Sequence, residues 1–332
     1  MSNALRAAVT GFGSTVPEKV LSNHDFEKFL DTSDEWITKR TGIKTRRVVE
    51  ADALGVTSSL GTRAARQALE DAGVAPEELD MIICATITPD MPLPATACFI
   101  QAELGATNAA AFDLGAACSG FVYAISVASK FIETGSARNI LIVGAETLSR
   151  FTDYSDRSSC ILFGDGAGAA VLQPTDEDGK GVLYSTMHCN GQGWDFICIP
   201  AGGSREPASK DTVEKGRHFL HMRGRDVYKF AVEKMQWVLG DCMEKCGLGP
   251  DDVDLVVPHQ VNIRILASAA GKMDLPMDKI YLNIERYGNT SSASVPLAMD
   301  EAYRQGRIGP GSTVVLAAFG AGLTWAGAVL QF

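Results

Sequence analysis

The sequence predicts an α/β fold made of two similar halves, each a mixed, mostly parallel sheet covered by helices. Three observations carry that expectation: segments that recur in the same order in the second half, short apolar runs alternating with helix-like stretches, and a composition suited to a large core. The chain has 332 residues, 46% hydrophobic and 21% charged, with 33 Gly and 13 Pro, a balance that is neither disordered nor collagen-like. At about 100 to 200 residues per domain, one large or two medium domains fit this length.

The first feature along the chain is an insertion, LSNHDFEKFLDTSDEWITKRTGIKTRRV (21–48), in which Thr32 or Ser33 is placed to cap a helix carrying Trp36 and Gly42 to end it. A helix follows over 58–73 (SSLGTRAARQALEDAG), then a buried strand over 81–87 (MIICATI). Segment 110–135 reads as a strand, a run of small residues and a helix from near Ser119, and the next strand is NILIVGA (139–145). From about 174 to 222 the pattern breaks into Gly, Ser and charge around short apolar runs, as expected of strands joining the halves and then a surface excursion. Strands resume at 254–259 (DLVVPH) and 312–319 (STVVLAAF). Such alternation implies mostly parallel, helix-covered sheets.

The repeat makes this a duplication. LEDAGVAPEELDMIICA (69–85) matches MEKCGLGPDDVDLVVPH (243–259), with Gly73, Pro76 and Asp80 over Gly247, Pro250 and Asp254 at an offset of 174. FGDGAGAAVLQ (163–173) matches FGAGLTWAGAVLQ (319–331), and ETGSARNILIVG (133–144) matches RQGRIGPGSTVVLAA (304–318) with Gly135 over Gly306, an offset of 171. The halves are expected at 1–174 and 175–332.

Composition narrows the function. With 30 Lys plus Arg against 40 Asp plus Glu, the formal charge of −10 argues against nonspecific nucleic-acid binding. MSNALRAAVTGFGSTVP (1–17) lacks the marks of a secretory signal and no stretch approaches 18 uninterrupted apolar residues, so a soluble, intracellular protein is expected. None of the eight cysteines forms a C-x-x-C pair, which removes the common zinc and thioredoxin spacings and leaves most of them as small buried hydrophobes.

Cys118 is judged by its neighbours. In AAFDLGAACSGFVYAISVASKFIETG (110–135) it falls where a strand turns into a helix, and a helix N-terminus favours a thiolate and a lowered pKa. On its residues alone it stands open between a reactive nucleophile and a buried structural thiol. Adding the local offset of 171 carries Cys118 onto Asn289, while the offset of 174 carries Ala85 onto His259. A lone His at a strand end is ordinarily structural, but its coincidence with Cys118 and Asn289 across a pseudo-twofold turns that reading toward function. The late turn of FGAGLTWAGAVLQF (319–332) offers backbone N–H groups to an oxyanion, against a plain reading as tight packing. Gly164-Asp165-Gly166-Ala167-Gly168 precedes a strand rather than opening a helix, which excludes a dinucleotide loop.

Together SDEWITKRTGIKTRR (33–47), DLGAACSGF (113–121), DRSSCILFGDGAGAAVL (156–172), PHQVNIRI (258–265), YGNTSSASVPLA (287–298) and FGAGLTWAGAVL (319–330) resemble the 3-oxoacyl-acyl-carrier-protein synthase III family of the thiolase superfamily, over essentially the whole chain. The resemblance implies the duplicated five-layered thiolase-like fold. It also implies that Cys118 takes an acyl group from a short acyl-CoA, and that His259 and Asn289 hold the thioester carbonyl of malonyl-acyl-carrier protein as CO2 leaves. No metal or redox cofactor is implied. The Cys118 N–H and that of Ala321, where the family usually has glycine, would form the oxyanion hole.

By the same resemblance Trp36, Arg40, Arg157, Gly224, Tyr228 and Asn262 would bind CoA or phosphopantetheine, Tyr228 standing where the family more often has Phe. Lys229 and the run Gln260, Val261, Asn262, Ile263 and Arg264 would face the acidic carrier protein, and Leu93 would reach across a homodimer into the partner's acyl pocket. A secondary-metabolism condensing enzyme or acyltransferase of the same fold, and a noncatalytic carrier-binding partner, are the rival readings. A cysteine hydrolase with the same residue types fits the duplicated sheets less well.

Overall fold

The computed structural model describes residues 5–332; the first four residues of the N-terminal stretch lie outside it. In the first half, β1 (Arg6–Thr15) precedes the insertion, which folds as β2 (Val20–Ser22), α1 (Asn23–Glu27), α2 (Asp34–Thr41) and β3 (Thr45–Arg47). There follow α3 (Val56–Ala72), β4 (Met81–Ala85), α4 (Thr96–Leu104), β5 (Ala110–Leu114), α5 (Gly120–Glu133), β6 (Ile140–Thr147) and β7 (Asp165–Thr175). The second half begins with β8 (Gly181–Cys189), then the excursion with β9 (Ile197–Cys198), α6 (Lys210–Glu214) and β10 (His221–Met222). It continues with α7 (Gly224–Cys246), β11 (Leu255–Pro258), α8 (Ile263–Lys272), α9 (Ile284–Tyr287), α10 (Ser294–Arg304), β12 (Thr313–Gly320) and β13 (Thr324–Gln331).

Two sheets result, in the orders β1-β7-β6-β4-β5 and β11-β12-β13-β8. The middle layer between them is α5 and α10, whose apolar residues Phe121, Ile125, Val295 and Met299 share one core with Ile142 of one sheet and Leu316 of the other. On the outer face of the first sheet α3 and α4 pack through Leu60, Ala64 and Ile100, and on that of the second α7 and α8 pack through Met235, Leu239 and Leu266. Helix, sheet, helix, sheet, helix makes five layers, as the resemblance implied.

The sheets are mixed, with less parallel pairing than expected. Only β6–β4 and β4–β5 are parallel in the first sheet, and only β11–β12 in the second. The strands that close each half return without an intervening α-helix: β7 runs back along β6, and β13 runs back along β12 after a turn of three residues. A direct return is antiparallel, whereas parallel neighbours need a crossover.

The duplication is plain in the backbone. Gly73 and Gly247 end their helices in the left-handed region at φ 65° and 66°, and each leads through one 3-10 turn into a buried strand. The helices α5 and α10 start 174 residues apart, at Gly120 and Ser294, yet α5 has 14 residues and α10 has 11. That missing turn is why the glycines after them, Gly135 and Gly306, stand only 171 apart.

Candidate active site

The chain leaves β5 at Leu114 and makes a one-turn 3-10 helix, Ala117–Ser119, before α5. Ala117 adopts φ 48°, a left-handed conformation that costs a non-glycine residue roughly 1 kcal/mol and bends the chain sharply beneath Cys118. The end of β12 is pressed against this bend: a Cβ on Gly320 would lie 2.7 Å from the Cys118 nitrogen, so only glycine fits. Thr324 Oγ1 ties the following turn down by donating to the Ala116 carbonyl at 2.9 Å.

The Cys118 thiol donates to Ser291 Oγ at 3.4 Å. The residue is half-buried, and the protein packed around it pushes the thiol up to about 12 by desolvation, the bond to Ser291 acting the other way. The lowered pKa expected from the helix end is therefore not what the free site presents. Desolvation favours the neutral thiol at Cys118.

His259 follows β11, is 1% exposed, and lies with Nδ1 2.6 Å from Ser294 Oγ. Its ring stands edge-on to Phe319 at 5.6 Å, and desolvation lowers its pKa to about 3, so the imidazole is neutral. Asn289 is gripped on both sides of its backbone, its N–H donating to the Leu162 carbonyl at 2.9 Å and its carbonyl accepting from Gly164 N–H at 3.0 Å. Its Oδ1 accepts from Ser291 N–H at 2.9 Å, which leaves the amide NH2 as the donor end.

Cys118, His259 and Asn289 line one small apolar cavity with Ala321, Phe319 and Val261. A larger open hollow of about 660 Å³, lined by Lys19, Phe29, Arg150 and Tyr154 among others, contains none of them. Asn289 is not the structural counterpart of Cys118, contrary to the offset of 171. The left-handed residue Ala117 (φ 48°) answers to Ser291 (φ 50°), 174 positions on, so Cys118 answers to Ser292, and Asn289 enters from the loop before that turn.

Comparison with known proteins agrees with this geometry. Residues 112–191 match the family described as 3-oxoacyl-[acyl-carrier-protein (ACP)] synthase III and residues 243–332 match its C-terminal part. The chain is 53% identical over 332 residues to a β-ketoacyl-[acyl-carrier-protein] synthase III from Caldanaerobacter subterraneus subsp. tengcongensis, covering 100% of this chain and 99% of that one. It is 51% identical to one from Clostridioides difficile, with 98% of each chain covered. Among solved structures, the Aquifex aeolicus 3-oxoacyl-[acyl-carrier-protein] synthase III superposes with a TM-score of 0.89 at 43% identity, covering 98% of this chain and 100% of that one. The priming β-ketosynthase of the R1128 polyketide pathway gives 0.89 at 37%, covering 98% and 95%.

The chain belongs to the β-ketoacyl-acyl-carrier-protein synthase III family. It is an acyltransferase that condenses acyl-CoA with malonyl-acyl-carrier protein to initiate fatty-acid synthesis.

In this synthase III chain the insertion meets the second half next to Val261, which lines the cavity. Ser33 Oγ caps α2 by accepting from Trp36 N–H at 3.1 Å, and Gly42 ends the helix at φ 87°. The Arg40 and Arg157 guanidinium carbons lie 5.2 and 5.4 Å from the Trp36 ring centre, and Asn262 Nδ2 donates to the Arg40 carbonyl at 3.0 Å. Trp36, Arg40 and Arg157 thus form one exposed cationic rim, tied to the half-buried Asn262. Gly224, Tyr228 and Lys229 are exposed at the start of α7, while Val227 beside them lines the cavity.

The proposed carrier-facing run divides. Arg264 is exposed, and Asn262 and Ile263 are half-buried. Val261 faces the cavity. Gln260 is 1% exposed, its amide donating to the Pro258 and Tyr281 carbonyls and accepting from Asn283 N–H. It cannot contact a carrier protein, because it closes the gap between β11 and the chain after Ile280. Leu93 is 84% exposed and does not line this chain's cavity. Sequence reasoning missed Ser291 and Ser294; the offset of 174 would have exposed the first, and nothing in the residue pattern marks the second.

Proposed function

We propose that the condensation runs through an acyl-Cys118 intermediate, with 1–174 as the nucleophile half and 175–332 as the half that carries His259 and Asn289. The observation that supports this reading is the convergence of a thiol, a neutral imidazole and an amide NH2 on one apolar cavity. In the first step the Cys118 sulfur attacks the acyl-CoA carbonyl, the carbon–sulfur bond to CoA breaks, and the thiol proton ends on the CoA sulfur. The N–H groups of Cys118 and Ala321 hold the tetrahedral oxyanion. A thiol is both a strong nucleophile and a good leaving group, so the acyl-enzyme is formed and consumed readily.

In the second step malonyl-carrier protein loses CO2. The electron pair released moves onto the thioester oxygen, which the Asn289 NH2 and His259 Nε2–H stabilise as neutral donors. In this reading the ring proton is carried on Nε2, with Nδ1 held 2.6 Å from Ser294 Oγ. The carbanion attacks the acyl carbon, the Cys118 sulfur leaves and takes a proton from solvent, and 3-oxoacyl-carrier protein departs.

The same reading takes CoA across Trp36, with Arg40 and Arg157 meeting its phosphates. The carrier protein docks on Lys229 and Arg264, both exposed cations. It extends to a cytoplasmic homodimer in which the exposed Leu93 bounds the partner's acyl pocket. Among the described residues no helix is long and apolar enough to cross a membrane. The 37% identity to the R1128 priming synthase favours, as a second reading, a primer role in a secondary pathway with the same chemistry.

Intact-protein mass spectrometry with a panel of acyl-CoAs, followed by a malonyl-carrier chase, tests the proposal. An adduct on Cys118 that disappears as 3-oxoacyl-carrier protein forms is expected. An adduct that survives the chase and moves to a hydroxyl or amine acceptor would replace the condensing role with a secondary acyltransferase, and no adduct with any primer would leave a noncatalytic partner.

A further inference from the structure

One turn, Ser291–Ser294, touches all three residues placed in the reaction. Ser291 Oγ accepts from the Cys118 thiol at 3.4 Å, Ser291 N–H donates to Asn289 Oδ1 at 2.9 Å, and Ser294 Oγ lies 2.6 Å from His259 Nδ1. What holds the turn is a carboxyl from the other half. Glu146, near the end of β6, is fully buried at 0% exposure. Its Oε1 accepts from the Ser292 hydroxyl at 2.8 Å and the Ser292 N–H at 3.4 Å. Its Oε2 accepts from Thr88 Oγ1 at 2.6 Å, Ile87 N–H at 3.2 Å and Thr86 Oγ1 at 3.3 Å.

The pseudo-twofold shows what this carboxyl is. At the offset of 174, Ser292 answers to Cys118, Ala85 to His259 and Glu146 to Gly320. The turn carrying Cys118 packs on β12 and that carrying Ser292 packs on β6. Where the active corner has a glycine and a cavity, the twin corner has a glutamate whose oxygens are saturated by donors. Ser292 completes the arrangement by lying 2.7 Å from the Ala85 carbonyl.

We propose that Glu146 is a positioning residue of the condensation: by gripping Ser292 it sets the Ser291–Ser294 turn, and through it the thiol of Cys118, the amide of Asn289 and the ring of His259. Each carboxyl oxygen takes one backbone N–H, from Ser292 and from Ile87, and a backbone N–H cannot turn to another partner. Glutamine keeps the shape but has only one acceptor oxygen, so one of those N–H groups loses its bond. The inference rests on the roles proposed above for Cys118, His259 and Asn289.

The test uses the full chain with Glu146→Gln, Ser292→Ala and Cys118→Ser made in parallel. Circular dichroism and thermal melting establish the folded fraction. Single-turnover rates are read for acylation by acyl-CoA and for condensation of the pre-acylated enzyme with malonyl-carrier protein. Glu146→Gln is expected to slow both steps by about 10- to 100-fold per folded molecule. KM for acyl-CoA should stay within about threefold, because the binding rim is untouched. Ser292→Ala, which keeps the carboxyl and loses one hydroxyl, is expected to slow both by about 3- to 10-fold.

A residue that only stabilises the fold would lower the melting temperature and leave both rates per folded molecule unchanged; that result overturns the proposal. If Glu146→Gln does not fold, unchanged rates in Ser292→Ala overturn it equally. Acylation by Cys118→Ser would instead sink the assignment of the nucleophile, so the two failures are separable.

Discussion

The start of α5 and the start of α10 are the same piece of backbone used twice. Both follow a left-handed residue, Ala117 at φ 48° and Ser291 at φ 50°, and both pack one 3-10 turn against a strand of the opposite sheet. At the first, the facing strand offers Gly320 and the neighbouring strand is followed by His259, and a cavity opens in front of Cys118. At the second, the facing strand offers Glu146 and the neighbouring strand ends at Ala85, so the space before Ser292 is filled and hydrogen-bonded. Four differences between equivalent positions, Cys118 for Ser292, His259 for Ala85, Gly320 for Glu146 and Asn289 for Gly115, separate the hollow corner from the filled one. On the roles proposed above, backbone geometry is not sufficient for reactivity; what faces the turn decides it.

The strongest way to break that comparison is to move the thiol. Cys118→Ser combined with Ser292→Cys is expected to form no acyl adduct by intact mass, a loss of at least about 10³-fold, because Glu146 occupies the place of the cavity. An adduct at position 292 would show that the turn alone activates a thiol. Next in size, Asn289→Ala is expected to acylate within about threefold of the parent and to condense about 10²- to 10³-fold more slowly, since the donor lost serves the enolate step. Equal loss in both steps, seen in rapid-quench single turnovers, would remove that division of labour.

Gly320→Ala sharpens the comparison from the other side. Its Cβ would meet the Cys118 nitrogen at 2.7 Å, so acylation should fall about 10- to 100-fold and urea denaturation should show a loss of about 1–3 kcal/mol. Normal acylation in the stable variant would show that the Cys118 N–H carries no oxyanion.

The smallest expected effect concerns His259, whose twin Ala85 has no charge to gain. Its pKa is depressed to about 3 in the folded chain, against about 6.5 unfolded, so below pH 6.5 the unfolded state binds a proton that the folded state refuses. Stability is therefore lost as pH falls from 6.5 toward 3. Between pH 7 and 5 the parent should lose about 2 kcal/mol more than His259→Gln in urea titrations. Equal losses would mean that His259 takes up its proton without leaving the folded state.

The duplicated fold and the three central residues were legible in the sequence for definite reasons. Gly73 and Gly247 mark equivalent helix ends because only glycine enters the left-handed region freely, and the strands after them are apolar because both faces are covered. Cys118 was marked by the small residues around it and His259 by its register with Ala85. Gln260 was misplaced because the resemblance carries over a run of positions without their burial, while here its amide satisfies three backbone groups inside. The pairing of Cys118 with Asn289 came from an offset taken after α10 had already lost three residues, and the sheets were read as too parallel because an alternating pattern does not reveal which returns lack a helix.

By itself, the sequence determined the duplication, the helix starts and stops and the apolar strands, and it singled out the thiol, imidazole and amide that meet in the cavity. These follow from local propensities and from residue types that a single stretch of chain carries with it. Only the tertiary structure decided which of two equivalent turns is hollow, that desolvation favours the neutral thiol at Cys118, that Gln260 is inside, and that one buried carboxyl holds the turn beneath the reacting groups. Each of those depends on atoms brought together from opposite halves of the chain, where burial and hydrogen-bond partners, rather than residue type, set the chemistry.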